Sequence, residues 1–436
     1  MALPDGAPVW AREAFTSSST LRRRRSALGA VGAGITCAAL IRKGAFFLPD
    51  AWVFPLLLAA VAVACMRRPS RGERNVLVAL GAFSAWWILA SIAWGVPSRA
   101  PLLVGTAVGF GAALVIGRSF DAVQRVAIHR NVVALGGVMA AIGLAGVVLR
   151  AYPFAMPHDG LWRVAGTLTY ANAAGLLLAL TLPLAVVLEG VHPATRRVAI
   201  FLILCGLIAT MSRGALFAAV VVIPMLPRRC LREAAWPAFM AVCGAVACIA
   251  SSSGGHIQPV LGIILVGLAV LAGRGAPALR SRTSAALLLV GVAAAALMAA
   301  HPSAASRLST TTLDLRTNEW SAAYRVASAH PVIGGGPEKN LVLTHGGSFA
   351  YFAHNEYLQI AAGGGLVALA LLGLIAVAIS RVADRHTWQA EAATAALLVF
   401  AVGGVFDFTW HAPALGIVAG WIAALSFRGE NESVRP

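Results

Sequence analysis

Three arginines, two histidines and two carboxylates stand where an otherwise apolar chain turns from one hydrophobic run to the next. Arg163 and Arg213 border such runs, Arg316 lies in a long polar loop, His354-Asn355-Glu356 opens a further run, and Asp407 and His411 flank a short turn near the C-terminus. A guanidinium is a planar fork of donors that grips phosphate oxygens two at a time and keeps its proton in partly apolar surroundings. Histidine, with a proton affinity near neutrality, can take a proton from a hydroxyl. Together these types suit a displacement in which arginines hold a departing oxyanion and His354 serves as base. Plainer readings stand beside that one. His354 or Asn355 can be a helix cap, and Glu356 can orient His354, pair with an arginine, or sit solvated in a first helical turn. Asp407 is a candidate to anchor an arginine or to position an acceptor. No Asp-x-Asp pair stands in these segments to hold a metal, so no cofactor is expected.

Composition says what scaffold must position them. The chain has 436 residues, 59% apolar and 12% charged, with a mean hydropathy of +0.80, which is too little polar sequence to coat a water-soluble globule. A hydrocarbon core about 30 Å thick takes roughly 20 mostly apolar residues per helix. Such runs recur near 26–41, 50–66, 75–95, 100–117, 131–149, 171–188, 197–211, 213–226, 234–250, 257–273, 284–300, 355–380, 391–406 and 412–427. The expected fold is all-α, a polytopic transmembrane bundle of about 12 to 14 spans. Its expected parts are a basic cytoplasmic segment over 1–25, helices over 26–300, an external loop over 301–353, helices over 354–427 and a cytoplasmic tail over 428–436. Within the loop, Leu315, Trp320 and Tyr324 recur at helical spacing and predict an amphipathic helix over 314–329. Trp52, Trp86, Trp87, Trp94, Trp162 and Trp410 fall near span ends and read as interfacial anchors.

Orientation follows from the basic residues. With Arg22 to Arg25 on the cytoplasmic side, 24 of the 34 Lys and Arg residues fall on that side, the bias expected of a membrane protein. The formal charge of +17 then reports topology rather than nucleic-acid binding, for which no aromatic-basic module is visible. Under this topology every candidate named above faces outward. Arg213 is the most pointed case: only Ser212 and Gly214 separate it from apolar runs, which requires a tight turn or a broken helix.

In order along the chain come Arg163-x-x-Gly166-Thr-Leu-x-Tyr170-x-Asn172, Ser212-Arg213-Gly214, Arg316-x-x-x-Trp320, His330-Pro-Val-Ile-Gly334-Gly-Gly336-Pro337 and His354-Asn355-Glu-Tyr-Leu358-Gln359. This ordered set resembles the O-antigen ligase and polymerase superfamily over roughly residues 160–415, with only hydropathy shared upstream. The resemblance implies a fold like a GT-C type glycosyltransferase in the cytoplasmic (inner) membrane, taking a glycan from an undecaprenyl-diphosphate carrier at the outer face. It implies no nucleotide sugar and no metal. Implied partners are the lipid-linked donor, an acceptor hydroxyl on a glycan, lipid or protein, membrane lipids, and a flippase with other polysaccharide-assembly proteins.

The residues themselves agree with that chemistry. A diphosphate leaving group without a divalent ion needs fixed cations, for which Arg163, Arg213 and Arg316 are the expected clamp and His354 the expected base. The acceptor stays open between ligase, polymerase and protein O-oligosaccharyltransferase, and a transporter or flippase is the rival of another class. The His330 to Pro337 segment is read as a plain turn before a glycine-rich phosphate cradle. One departure stands out: where the family carries an acid shortly after His-Asn-x-x-Leu-Gln, this chain has Gly363.

Overall fold

The computed structural model describes residues 9–427 except 159, 253–255, 276–311, 338–341, 344–348, 351 and 385. Its helices in chain order are α1 (Val9–Ile41), α2 (Asp50–Cys65), α3 (Arg71–Ala93), α4 (Pro101–Arg118), α5 (Ala122–Leu149), α6 (Ala171–Val186) and α7 (Pro193–Ala209). Then follow α8 (Arg213–Val222), α9 (Arg228–Ala250), α10 (Pro259–Arg274), α11 (Thr312–Ala329), α12 (Glu356–Val382), α13 (Trp388–Gly403) and α14 (Pro413–Ser426). Each apolar run read from the sequence meets one of these helices, except that near 284–300, which lies outside the described residues together with 301–311 and 428–436. Among the described residues five helices, α3, α4, α5, α9 and α12, are long and apolar enough to cross a membrane, and α2, α6, α8, α10, α13 and α14 are shorter apolar helices. The protein is an all-α, polytopic membrane protein.

Local chemistry sets the helix ends. Ser70 caps α3 by accepting from the Glu73 amide at 3.3 Å while Glu73 accepts from the Ser70 amide at 2.9 Å, a reciprocal capping box. Glu73 also takes Arg118 Nε at 2.6 Å and Arg67 at 2.9 Å, and Arg118 donates to the Phe427 carbonyl at 3.1 Å. This buried knot ties the ends of α3, α4 and α14 together at the face opposite the N-terminus of α14. Asp121 and Gln124 make a second capping box on α5.

The structure refines several expectations. α1 begins at Val9, so Arg22 to Arg25 ride on the first helix instead of preceding it. Trp87 and Trp410 are not interfacial anchors: at 1% and 7% exposure they belong to the core, where each packs on Phe83. The amphipathic helix of the loop is present as α11, but its buried face carries Trp320, Ala323 and Val326 against Ala353, Leu358 and Ala362, and Tyr324 points away at 65% exposure. Two short antiparallel ribbons interrupt the helices, β1 (Ala155–His158) with β2 (Leu161–Val164) and β3 (Val342–Leu343) with β4 (Phe349–Ala350).

The glycine at the departure site has a packing reason. α12 breaks at Gly365, whose φ of 72° and ψ of −173° suit only glycine. The 330–337 turn docks into that break: the Gly335 amide donates to the Ala362 carbonyl at 2.7 Å and the Leu366 amide to the Pro331 carbonyl at 2.8 Å. Trp86 Nε1 donates to the Gly364 carbonyl at 2.7 Å, so the carbonyls freed by the break are met. A Cβ on Gly363 would stand 2.5 Å from Cη2 of Trp87. Gly363→Asp therefore overpacks the core and buries a carboxylate, and is expected to cost about 3 kcal/mol or more, seen as a lower melting temperature of the purified protein; an unchanged melting temperature would mean that Trp87 yields.

Candidate functional site

A cavity of about 760 Å³ opens among α6, α8, α11 and the turn between α13 and α14. Arg163, Arg213, Arg316, His354 and Asp407 all line it, although they come from segments far apart in the chain. The elements explain the convergence. β2 carries Arg163, paired across the ribbon with Met156. α7 ends at Ala209 and α8 starts at Arg213, so the break expected around Ser212 is real, with Met211 in the left-handed region at φ 53°. The N-termini of α6 and α8 end in Tyr170 and Ser212 without side-chain caps, and both residues line the cavity. Helix N-termini carry partial positive charge and suit an anion. α11 lies at the rim, with Arg316 and Glu319 one turn apart and both lining the cavity.

A hydrogen-bonded chain crosses the cavity wall. Arg163, 9% exposed, donates from Nε to the Thr210 carbonyl at 2.7 Å and from Nη2 to Asn172 Oδ1 at 2.8 Å. Asn172 Nδ2 donates to the Tyr170 hydroxyl at 3.0 Å. Tyr170 in turn donates to Asp407, with its oxygen 3.0 Å from Oδ2 and 3.2 Å from Oδ1. Asp407 Oδ1 lies 3.2 Å from His354 Nδ1 and also accepts from the Phe408 amide at 2.9 Å. Direction is fixed at both ends, because a guanidinium only donates and an ionised carboxylate only accepts. The Asn172 amide is oriented by Arg163, the Tyr170 proton is sent to Asp407, and Nδ1 of His354 must carry hydrogen. Nε2 is then the basic nitrogen.

Electrostatics favour the charged forms of Asp407 and His354. Burial works against an ionised Asp407, but the hydrogen bond and charge of His354, the Phe408 amide and Tyr170 outweigh it and hold its carboxyl below the usual range. Burial likewise opposes a protonated His354, yet the Asp407 hydrogen bond and the charges of Asp407 and Glu319 prevail, so its proton affinity is raised in spite of Arg316. Glu319 is pushed up, first by burial and then by Asp407. His354 itself sits at φ 46°, a left-handed conformation that costs a non-glycine residue about 1–2 kcal/mol and that gathers at functional sites.

Asn355, not His354, caps α12: its side chain accepts from the Leu358 amide at 3.0 Å. Glu356 stands in the first turn of α12 as one reading had it, but buried rather than solvated. Among the described residues it meets neither His354 nor an arginine; it is fully buried, accepts from the Trp410 amide at 2.7 Å and lies 3.0 Å from His411 Nδ1 without hydrogen-bond alignment. Glu356 and His411 thus brace the Asp407 turn from behind and stand outside the cavity lining. Asp407 takes His354 and Tyr170 as partners. The 330–337 turn is structural packing for α12 and does not line the cavity.

Residues 238–373 match the family model described as O-antigen ligase. This match supports an assignment of the chain to the O-antigen ligase and polymerase superfamily. No curated protein matches it. The matched domain supports a part in cell-surface polysaccharide biosynthesis for this multi-pass membrane protein, of glycosyltransferase-like type. The matched segment runs from within α9 to within α12 and contains Arg316 and His354. Arg163, Arg213 and Asp407, which also line the cavity, lie outside that segment and are brought to it by the fold. Sequence reasoning gave no role to Tyr170 or Asn172, although both stand in the string that carries the resemblance. Lys43 and Glu319, which also line the cavity, went unremarked because a basic residue beside a span and a polar residue on an amphipathic helix are ordinary.

Proposed function

We infer that the protein transfers a glycan from an isoprenoid-diphosphate carrier to a hydroxyl acceptor at the outer face of the cytoplasmic membrane. The observation that carries this reading is the polarised chain from Arg163 through Asn172, Tyr170 and Asp407 to His354, in one cavity with Arg213 and Arg316. In the reaction the acceptor oxygen attacks the anomeric carbon, and the bond from that carbon to the phosphate oxygen breaks. The acceptor proton passes to Nε2 of His354, and the diphosphate leaves against the guanidinium groups and the uncapped starts of α6 and α8. A single displacement inverts the anomer. Asp407 supports the imidazolium as it forms and keeps Nδ1 protonated, in the way a buried aspartate serves a histidine base.

The pH dependence tests this assignment. The base must be neutral, so transfer rises with pH through the raised proton affinity of His354. Asp407→Asn removes the charge that raises it, so the rising limb moves to lower pH while the plateau falls by about 10²- to 10⁴-fold. Tyr170→Phe leaves Asp407 with one donor fewer, which concentrates its charge on His354. The limb then moves to higher pH and the plateau falls about tenfold. Transfer from a lipid-linked donor by purified protein in liposomes gives both profiles. Limbs that stay in place in both variants would remove His354 as the base, and absence of any transfer by the unaltered protein would remove the reading itself.

A further inference from the structure

The loop between α1 and α2 forms a wall of the same cavity, and it lies far outside the matched segment. Lys43, Gly44 and Ala45 follow one another in the left-handed region, at φ 56°, 73° and 56°. Two of the three are not glycine and each costs about 1–2 kcal/mol in that conformation, so packing must hold the loop there. It does. Gly44 and Ala45 are buried, a Cβ on Gly44 would stand 2.9 Å from Leu168 Cδ2, and Thr167 donates to the Leu40 carbonyl at 2.9 Å. The loop is thereby fastened to the segment that carries Arg163 and Tyr170.

What the loop presents is one cation and a line of rings. Arg42 is paired with Asp50 at 3.1 Å. Lys43 has no carboxylate partner among the described residues, and its ammonium lies 5.5 Å from the centroid of Phe47. From the reaction centre outward, Phe408 stands 5.2 Å from the His354 ring, Phe46 stands 6.1 Å from Phe408, and Phe47 stands 5.3 Å from Phe46. Phe46, Phe47 and Phe408 all line the cavity. Phe47 and its neighbour Leu48 are each 55% exposed. An unbroken aromatic track thus runs from beside the base to the outside of the bundle, with a cation at its outer part.

We propose that this loop is the subsite for the isoprenoid diphosphate of the donor, with Lys43 on a phosphate and Phe46 and Phe47 guiding the first isoprene units out to the lipid. The proposal rests on the transferase reading. A compact ammonium answers a phosphate oxygen as a point charge, and flat apolar rings give a branched isoprenoid area without demanding a fixed orientation. The chain of the carrier then never crosses the polar wall made by Arg163, Arg213 and Arg316.

Farnesyl diphosphate and inorganic pyrophosphate, titrated onto the full chain in lipid nanodiscs, separate the two parts of the subsite. Phe47→Ser and Phe46→Ala are expected to weaken farnesyl diphosphate by about tenfold and to leave pyrophosphate within about twofold, which also reports that the variants are folded. Lys43→Gln is expected to weaken both. In transfer to a water-soluble acceptor, Phe47→Ser raises KM for the lipid-linked donor. If the phenylalanine variants bind farnesyl diphosphate normally while Arg316→Lys binds it poorly, the isoprenoid leaves by another route and the proposal fails with the transferase reading intact. A KM that moves only for a lipid-linked acceptor also overturns it. If the unaltered protein binds neither probe, both readings fall.

Discussion

Replacing His354 with alanine should lower glycan transfer by about 10²- to 10⁴-fold and cause cells to accumulate untransferred lipid-linked glycan, with the variant at its normal level in the membrane. The size follows from its position. Its Nδ1 faces the Asp407 carboxylate at 3.2 Å, so the group that meets the acceptor is Nε2, and among the described residues the one other histidine lining the cavity is His158 on the β1–β2 ribbon. Stability should hold, because the α12 cap belongs to Asn355 and the Asp407 turn is braced by Glu356 and the Trp410 amide. The left-handed φ of residue 354 is itself a strain that alanine does not relieve. Normal glycan products from a well-inserted His354→Ala protein would end the assignment of His354 as base.

The second large effect is expected of Arg213→Lys and Arg316→Lys. Both substitutions keep a positive charge and lose the planar fork, so a membrane scaffold tolerates them and a bidentate diphosphate clamp does not. Transfer should fall by about 10²-fold in each, with membrane level unchanged in both and melting temperature unchanged in Arg316→Lys. Arg163→Lys should behave differently. That guanidinium already spends Nε on the Thr210 carbonyl and Nη2 on Asn172, and lysine cannot make both bonds, so activity and melting temperature fall together. Full activity in the Arg213 and Arg316 variants would take the diphosphate out of the cavity.

The helices were legible because a membrane protein writes them in hydropathy, while the side of the membrane each end faces rests on the arginine and lysine bias alone. The gathering of Arg163, Arg213, Arg316 and His354 was legible through the expected topology, which sent all four to one face, and through the ordered strings. What the sequence hid are partnerships that need the fold. Tyr170 meets Asp407 across 237 positions of chain, and no local pattern announces such a pair. Lys43 looked like one more basic residue beside a span until the loop was seen to turn it into the cavity wall. Trp87 and Trp410 sit where interfacial tryptophans sit in sequence, yet the break in α12 and the turn after α13 bring enough apolar surface to bury them. The β1–β2 ribbon has four-residue strands, too short to show a period of two.

The helices whose outer ends line the cavity are short. α6 and α13 have 16 residues, α14 has 14 and α8 has 10, whereas α5 has 28 and α9 has 23. At 1.5 Å per residue the short ones fall about 6–15 Å below the thickness of a typical hydrocarbon core. Such hydrophobic mismatch is met by thinning the bilayer around the short elements. A bilayer around these elements would be thinned beside the cavity, which would bring the phosphate headgroups of the nearer leaflet towards Arg213.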